Sequence, residues 1–309
     1  MNIPVIMDCD PGHDDAIALI IAHASDKIDI KAVTTVAGNQ TVEKTTLNAL
    51  KILSFIGADV PVAKGCFKPL IRDLITAPEV HGESGLDGPV LPEPILKLSE
   101  MSAVELIAKT VRESKDKITL VPTGALTNIG LFLISYPELK CKIEQISLMG
   151  GACFGGNWTP SAEFNILVDP EAAEIVFSSG IPIIMSGLDV THKAIIKTED
   201  IERFRSIKTK TAKLVAELLD FFAKFHEGQC DFEGSPLHDP CAVAWLINPS
   251  MFKSKHCHVD IETQGKYTTG TTVVDYWDIL KKTKNVEVLF DIERNKFIDL
   301  IAESITKLP

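Results

Sequence analysis

Short apolar runs recur along the chain, each followed by a segment whose apolar positions repeat every three or four residues. Residues 4–7, 30–35, 118–122, 145–149 and 181–185 have the length and β-branched content of buried strands. Residues 14–24, 42–56, 102–113, 128–135 and 170–178 read as helices between them. The last of these opens on Asp169-Pro170-Glu171, a cap followed by proline at the first helical position. The alternation predicts an α/β fold with an open, mostly parallel sheet flanked by helices. Beyond residue 198 the pattern turns helical, with 211–226 as one long amphipathic helix; 256–292 then predict small additional strands, and 293–305 a closing helix. Residues 64–100 are rich in Gly and Pro and weakly periodic, which inside a compact domain marks a functional loop or an inserted flap. No linker, repeat or low-complexity tract interrupts the chain, so residues 1–309 are expected to form a single domain.

Composition narrows the partners. The 309 residues are 45% hydrophobic and 24% charged, with a formal charge of -11 and a pI near 5.2. No basic stripe is offered to phosphates, which argues against nucleic acid and for a small-molecule ligand. No apolar run approaches the roughly 20 residues of a membrane helix, and no basic-then-apolar leader opens the chain, so neither a membrane nor secretion is expected and the location reads as cytoplasmic. The seven cysteines are scattered without a C-x-x-C pair and read as reduced, packing thiols.

The polar residues gather where ligands of open α/β sheets bind, beyond the carboxyl ends of the strands. The first strand runs into Asp8-Cys9-Asp10-Pro11-Gly12-His13-Asp14-Asp15, the second into Ala37-Gly38-Asn39, the third into Thr123-Gly124-Ala125-Leu126-Thr127-Asn128, and the fourth into Gly150-Gly151 and then Asn157 to Asn165. These loops are expected to face one crevice, with His238-Asp239-Pro240 arriving from far along the chain. Four carboxylates in nine positions can be held in a pocket only with a cation. Oxygen donors without a Cys or His cluster select Ca²⁺ or Mg²⁺, and Asp10, Asp15 and Asp239 are the natural ligands. An isolated aspartate is more often a helix cap, and Asp14 or Asp15 could serve the positive end of the following helix. Capping does not account for Asp8 and Asp10 as well. Asp8 is expected to point away from the ion and support the loop.

The blocks "DCDPGHDDA" (8–16), "VAGNQT" (36–41), "HGESGLDGP" (81–89), "VPTGALTN" (121–128), "GNWTPSAEFNILVDPEAA" (156–173) and "PLHDP" (236–240) together resemble the calcium-dependent ribonucleoside hydrolases, more closely the bacterial pyrimidine-specific members, from Met1 to the C-terminal helix. The resemblance implies hydrolysis of the bond between ribose C1′ and a nucleobase, with Ca²⁺ held by Asp10, Asp15, Asp239 and the main-chain carbonyl of Thr123. It implies that Asn39, Asn157, Glu163 and Asn165 bind the ribose, Glu163 near its 5′ end, and that the chain assembles as a dimer or tetramer. One departure stands out: "FHEGQCDFEGSP" precedes the His-Asp pair, and its His226, Gln229 and Phe232 match no base-binding pattern.

The chemistry needed for such a cleavage is present. Asp14, beside Asp15, can accept a proton from a calcium-bound water, and the carboxylates can stabilise charge developing on the ribosyl ring. The departing base needs a proton donor, for which His238, next to a metal ligand, and His81, on the flap, are the candidates. A histidine in a polar loop is otherwise more often a hydrogen-bonding residue. His13 reads equally well as a supporting partner, and His192, His226, His256 and His258 read as structural. Glu163 and Asn165 could instead brace the helix near Pro170, and Trp158 could wall the site or simply pack. Two other readings compete: a Mg²⁺-dependent phosphohydrolase using Asp8 as nucleophile and Asp10 as acid, and a non-catalytic nucleoside or pentose sensor. The first is disfavoured because Pro-Gly-His-Asp-Asp follows Asp10 where Thr and an apolar residue are usual; the second has no supporting feature.

Overall fold

The first strand shows why the sheet is buried on both sides. In β1 (Ile3–Cys9) the side chains alternate, so Val5, Met7 and Cys9 join one apolar cluster and Ile6 the other, all essentially inaccessible to solvent. The computed structural model describes residues 2–226 and 234–309, without the side chains of Phe225 and His226. The remaining strands are β2 (Ile28–Thr35), β3 (Val62–Lys64), β4 (Ile118–Pro122), β5 (Ile143–Met149), β6 (Ile183–Ser186), β7 (Ile195–Ile196), β8 (Ser235–Pro236), β9 (Phe252–Cys257), β10 (Val259–Ile261), β11 (Thr272–Val274) and β12 (Val286–Ile292). Among the described residues eight of them form one sheet in the order β3-β2-β1-β4-β5-β6-β12-β9, parallel throughout except for β9 against β12.

The helices are α1 (His13–Ala24), α2 (Val42–Phe55), α3 (Pro78–His81), α4 (Ala103–Glu113), α5 (Thr127–Ser135), α6 (Phe164–Val168), α7 (Pro170–Phe177), α8 (Leu188–Thr191), α9 (Thr198–Arg205), α10 (Lys210–His226), α11 (Pro240–Ile247) and α12 (Arg294–Lys307). Helices α1, α11 and α12 pack together on one face of the sheet, and α4, α5 and α7 on the other. Helix α1 is apolar nearly all round, and eleven of its twelve residues are buried, as expected of a helix covered on both sides. No helix among the described residues is long and apolar enough to cross a membrane.

The expected α/β architecture is present, with local differences. The strand expected at 181–185 begins only at Ile183, after Pro182, which cannot donate to a ladder. The three-residue β3 was too short to show periodicity. The region expected to hold small extra strands divides: β10 and β11 form a separate antiparallel pair, whereas β12 inserts into the main sheet between β6 and β9, burying Val286, Val288 and Leu289. In sheet order the chain runs outward from β1 through β2 to β3 and, on the other side, from β4 through β5 to β6. The carboxyl ends of β1 and β4 are therefore the point where winding reverses, and a crevice opens there.

Candidate active site

Four segments converge at that reversal. Thr123, just past β4, donates its main-chain N–H to the Asp8 carbonyl at 2.9 Å, which brings the aspartate loop and the Thr123 loop side by side. Asp10 is fully buried between Gly38 and Gly124; a Cβ on either glycine would overlap its carboxylate. One Asp10 oxygen, Oδ2, accepts the main-chain N–H of Asn39 at 2.7 Å, and the other, Oδ1, has no hydrogen-bond partner. Burial, reinforced by Asp15, pushes the Asp10 carboxyl well above its usual range against the Asn39 hydrogen bond.

Asp15 sits in the first turn of α1. Its Oδ2 accepts the Gly12 N–H at 3.0 Å and the Asn39 side-chain amide at 3.3 Å, while Oδ1 accepts the Thr123 hydroxyl at 2.7 Å. Part of its role is thus the capping that its position suggests. Burial and then the Asp14 charge still push it up to about 7. Carboxylate oxygens of Asp14, Asp15 and Asp239 lie within 4.8 Å of one another, all three residues buried. Asp239 is pushed well above the carboxylate range by burial and by Asp14, Asp15 and Asp10. An uncompensated cluster of this kind, with an orphaned Asp10 oxygen beside it, is able to hold a metal ion, and its oxygen-only donor set fits a hard divalent cation.

Above the carboxylates lies a cavity of about 490 Å³. Asp14, Asn39, His81, Thr123, Asn157, Glu163, Asn165, His238 and Asp239 line it, while Asp10 and Asp15 lie beneath its surface. Glu163 caps α6, accepting from the N–H groups of Asn165 (3.0 Å) and Ile166 (3.2 Å), and also accepts from Gly151 at 2.9 Å; burial nonetheless pushes it up to about 7. The bracing role and the cavity-lining position therefore coexist in one side chain. The Asn165 amide donates to the Thr123 carbonyl at 2.8 Å, which leaves that carbonyl its second lone pair. Asn157 Oδ1 accepts the Phe164 N–H at 3.0 Å. The His238 ring places Nδ1 2.8 Å from the Thr191 hydroxyl and meets His192 edge-on at 5.9 Å.

Asp8 stays out of this cavity. Its Oδ1 accepts from the Thr34 hydroxyl (2.6 Å) and the Asn128 amide (2.8 Å), on the sheet face that alternation with Ile6 assigns to it. A buried side chain braced in this way cannot serve as the nucleophile that the phosphohydrolase reading requires. His192, read from the sequence as structural, instead lines the cavity, together with Trp158, Phe164 and Phe222. Trp158 packs on Phe164 at 4.8 Å, so it walls the site and packs at once. Phe222 could not have been singled out, because an aromatic residue at helical spacing reads as core. Gln229 and Phe232, and the side chain of His226, lie outside the described residues.

Comparison with known proteins places this geometry. The family described as inosine-uridine preferring nucleoside hydrolase matches residues 5–299. The pyrimidine-specific ribonucleoside hydrolases RihA of Photobacterium profundum and of Escherichia coli O7:K1 are 58% and 56% identical to this chain over 307 residues, covering 99% of both partners. Among solved structures, the purine-preferring ribonucleoside hydrolase from Gardnerella vaginalis superposes with a TM-score of 0.92 at 32% identity, covering 98% of each chain.

Proposed function

The chain belongs to the inosine-uridine preferring nucleoside hydrolase family and is a ribonucleoside hydrolase, and we propose that its preferred substrates are the pyrimidine ribonucleosides uridine and cytidine, cleaved to ribose and free base. The observation that carries this reading is the buried trio Asp14, Asp15 and Asp239 beneath a cavity of about 490 Å³, a size suited to a small ligand. The pyrimidine preference draws support from the two RihA relatives.

In this proposal Asp10, Asp15, Asp239 and the Thr123 carbonyl hold one Ca²⁺. When bound, the ion supplies compensating charge and makes nearby water more acidic. Asp14 accepts the proton of the attacking water at its carboxylate. Asn39, Asn157, Glu163 and Asn165 bind the ribose, and the surrounding carboxylates stabilise positive charge as the glycosidic bond breaks. His81 and His238 hold a proton for the departing base, His238 with its ring steadied by the Thr191 hydroxyl. The family match across residues 5–299 supports one catalytic domain over 1–309. Homo-oligomeric assembly, as a dimer or tetramer, belongs to the same reading and is supported by the exposed apolar Trp277, Ile279 and Leu280. A cytoplasmic setting is supported by Cys9, Cys66, Cys141, Cys153, Cys241 and Cys257, all free thiols.

Ribose release from uridine, cytidine, inosine, adenosine and the 5′-nucleotides tests the proposal. Uridine and cytidine are expected to be cleaved fastest, with 5′-nucleotides poor because their phosphate meets Glu163. Faster turnover of inosine would overturn the pyrimidine preference, and phosphate release without ribose would overturn the assignment to the glycosidic bond.

A further inference from the structure

The wall of the active-site cavity carries four acids, Asp14, Glu79, Glu163 and Asp239, and no lysine or arginine. Residues 227–233, outside the described part of the chain, contain no lysine or arginine either. The side chains that most often hold a phosphate are therefore missing from the wall. Three of the four acids are buried and have roles above. The fourth, Glu79, is exposed and has none.

The fold fixes where Glu79 stands. It lies in α3 between Pro78 and Val80. The Ala77 N–H, at the start of α3, donates to the Asn39 carbonyl at 3.1 Å. Val80 packs against the small apolar cluster that contains Ala77 and Phe164, as does Trp158. Glu163 immediately precedes Phe164, so α3 carries Glu79 on the side of the cavity where Glu163 stands. That is the side assigned above to the 5′ end of the ribose.

Neighbouring acids of the same segment have partners. Glu83 lies 3.9 Å from Lys44, and Asp87 accepts the main-chain N–H groups of Glu83 at 3.0 Å and Ser84 at 3.1 Å. Among the described residues Glu79 has no ion pair and no hydrogen bond to its carboxylate. Support of α3 is a weak reason for its presence, since a helix of four residues has little dipole for an acid to offset. Glu163 differs here too: its carboxylate accepts from the N–H groups of Gly151, Asn165 and Ile166, which offset its charge.

We infer that Glu79 is a specificity-determining residue: its uncompensated carboxylate at the rim repels a phosphate on the ribose 5′ oxygen, so that the cavity admits nucleosides and turns away their 5′-monophosphates. The inference rests on ribonucleoside hydrolysis and on the proposed seating of the 5′ end beside Glu163; it does not depend on which base is preferred.

Competitive inhibition of uridine cleavage by uridine 5′-monophosphate, by uridine 3′-monophosphate and by the uncharged 5′-O-methyluridine tests it in Glu79→Gln and Glu79→Lys. At about 10 mM salt, where the screening length is roughly 30 Å, Glu79→Gln is expected to tighten the 5′-monophosphate about fivefold relative to 5′-O-methyluridine. Glu79→Lys, which reverses the charge, should tighten it about 20-fold or more. At about 200 mM salt the gain in Glu79→Gln should largely vanish. In both variants kcat and KM for uridine should stay within about twofold, because a neutral substrate gains nothing from the change. A 5′-monophosphate whose affinity relative to 5′-O-methyluridine is unchanged in both variants would overturn the inference. So would equal shifts in the two ligands, which would mark Glu79 as a shape or contact residue. If the 3′-monophosphate gains and the 5′-monophosphate does not, the inference fails together with the seating of the 5′ end beside Glu163. If inosine proves the better substrate, the pyrimidine preference fails, and the same ratios measured with inosine and its monophosphates still decide the role of Glu79.

Discussion

Two hollows of similar size open at opposite ends of the same sheet, and only one is built for chemistry. At the amino ends of the strands a cavity of about 590 Å³ is lined by Asp29, Lys31, Lys109, Glu113, Lys115 and Asp116 among others. Its charges face water, and one pair forms among them: Lys31 and Asp29 are 2.5 Å apart with side chains 42% and 44% exposed. At the carboxyl ends a somewhat smaller cavity sits over Asp10, Asp14, Asp15 and Asp239, each at most 5% exposed and pressed together without a cation from the protein. The lesson is that room does not make a site. Surface ion pairs of the first kind contribute little, whereas buried like charges are costly unless something is meant to arrive among them.

The sharpest way to probe the contrast is to change one carboxylate without emptying the floor. In Asp14→Asn, turnover of uridine is expected to fall about 10²- to 10⁴-fold, the usual contribution of a general base, while substrate affinity and cation content change far less. Retention of most of the activity would remove Asp14 from the proton-accepting role.

A second effect appears in stability rather than rate. In the folded, cation-free chain burial keeps a proton on Asp8 up to about pH 6 and on Asp15 up to about pH 7, whereas both lose it near 4 when unfolded. Folding therefore takes up protons between these values, and the stability of the chelated protein should decrease as pH rises from about 4 to 7. Added divalent cation should flatten that slope by favouring the charged form of Asp15. Thermal unfolding across this pH range, with and without cation, measures both; a chelated protein that grows more stable toward pH 7 would contradict the burial of uncompensated carboxylates. The smallest effect is expected at the other end of the sheet, where Lys109→Ala should leave uridine kinetics unchanged. A marked loss there would mean that the amino-end hollow matters after all.

Much of the site could be read from the chain, because its residues follow strands whose apolar runs are unmistakable. Asp10, Asp15, Asn39 and Thr123 stand immediately beyond β1, β2 and β4, or in the first turn after them, and an open sheet brings those loops together whatever the details of packing. Glu163 and Asn165 lie far along the loop after β5, and a ribose-binding role for them is implied only by the family blocks. Other features had no local signal at all. His13 and His81 are 68 positions apart and lie side by side, with the segment just past His81 tied back by the Gln40 and Asn48 amides. His192 and Phe222 enter the cavity through the placement of α8 and α10, which periodicity does not determine. The insertion of β12 beside β6 is likewise a long-range event, visible in its buried valines only once the partner strands are known.

In the proposed function the buried carboxylates at the carboxyl ends of the strands hold a cation required for ribose release. Elemental analysis of the purified protein, paired with uridine cleavage before and after chelation, tests it most directly. One calcium per chain is expected in the wild type and none in Asp10→Ala, with activity lost on chelation and restored by Ca²⁺. A cation-free protein that cleaves uridine at the undiminished rate would contradict it.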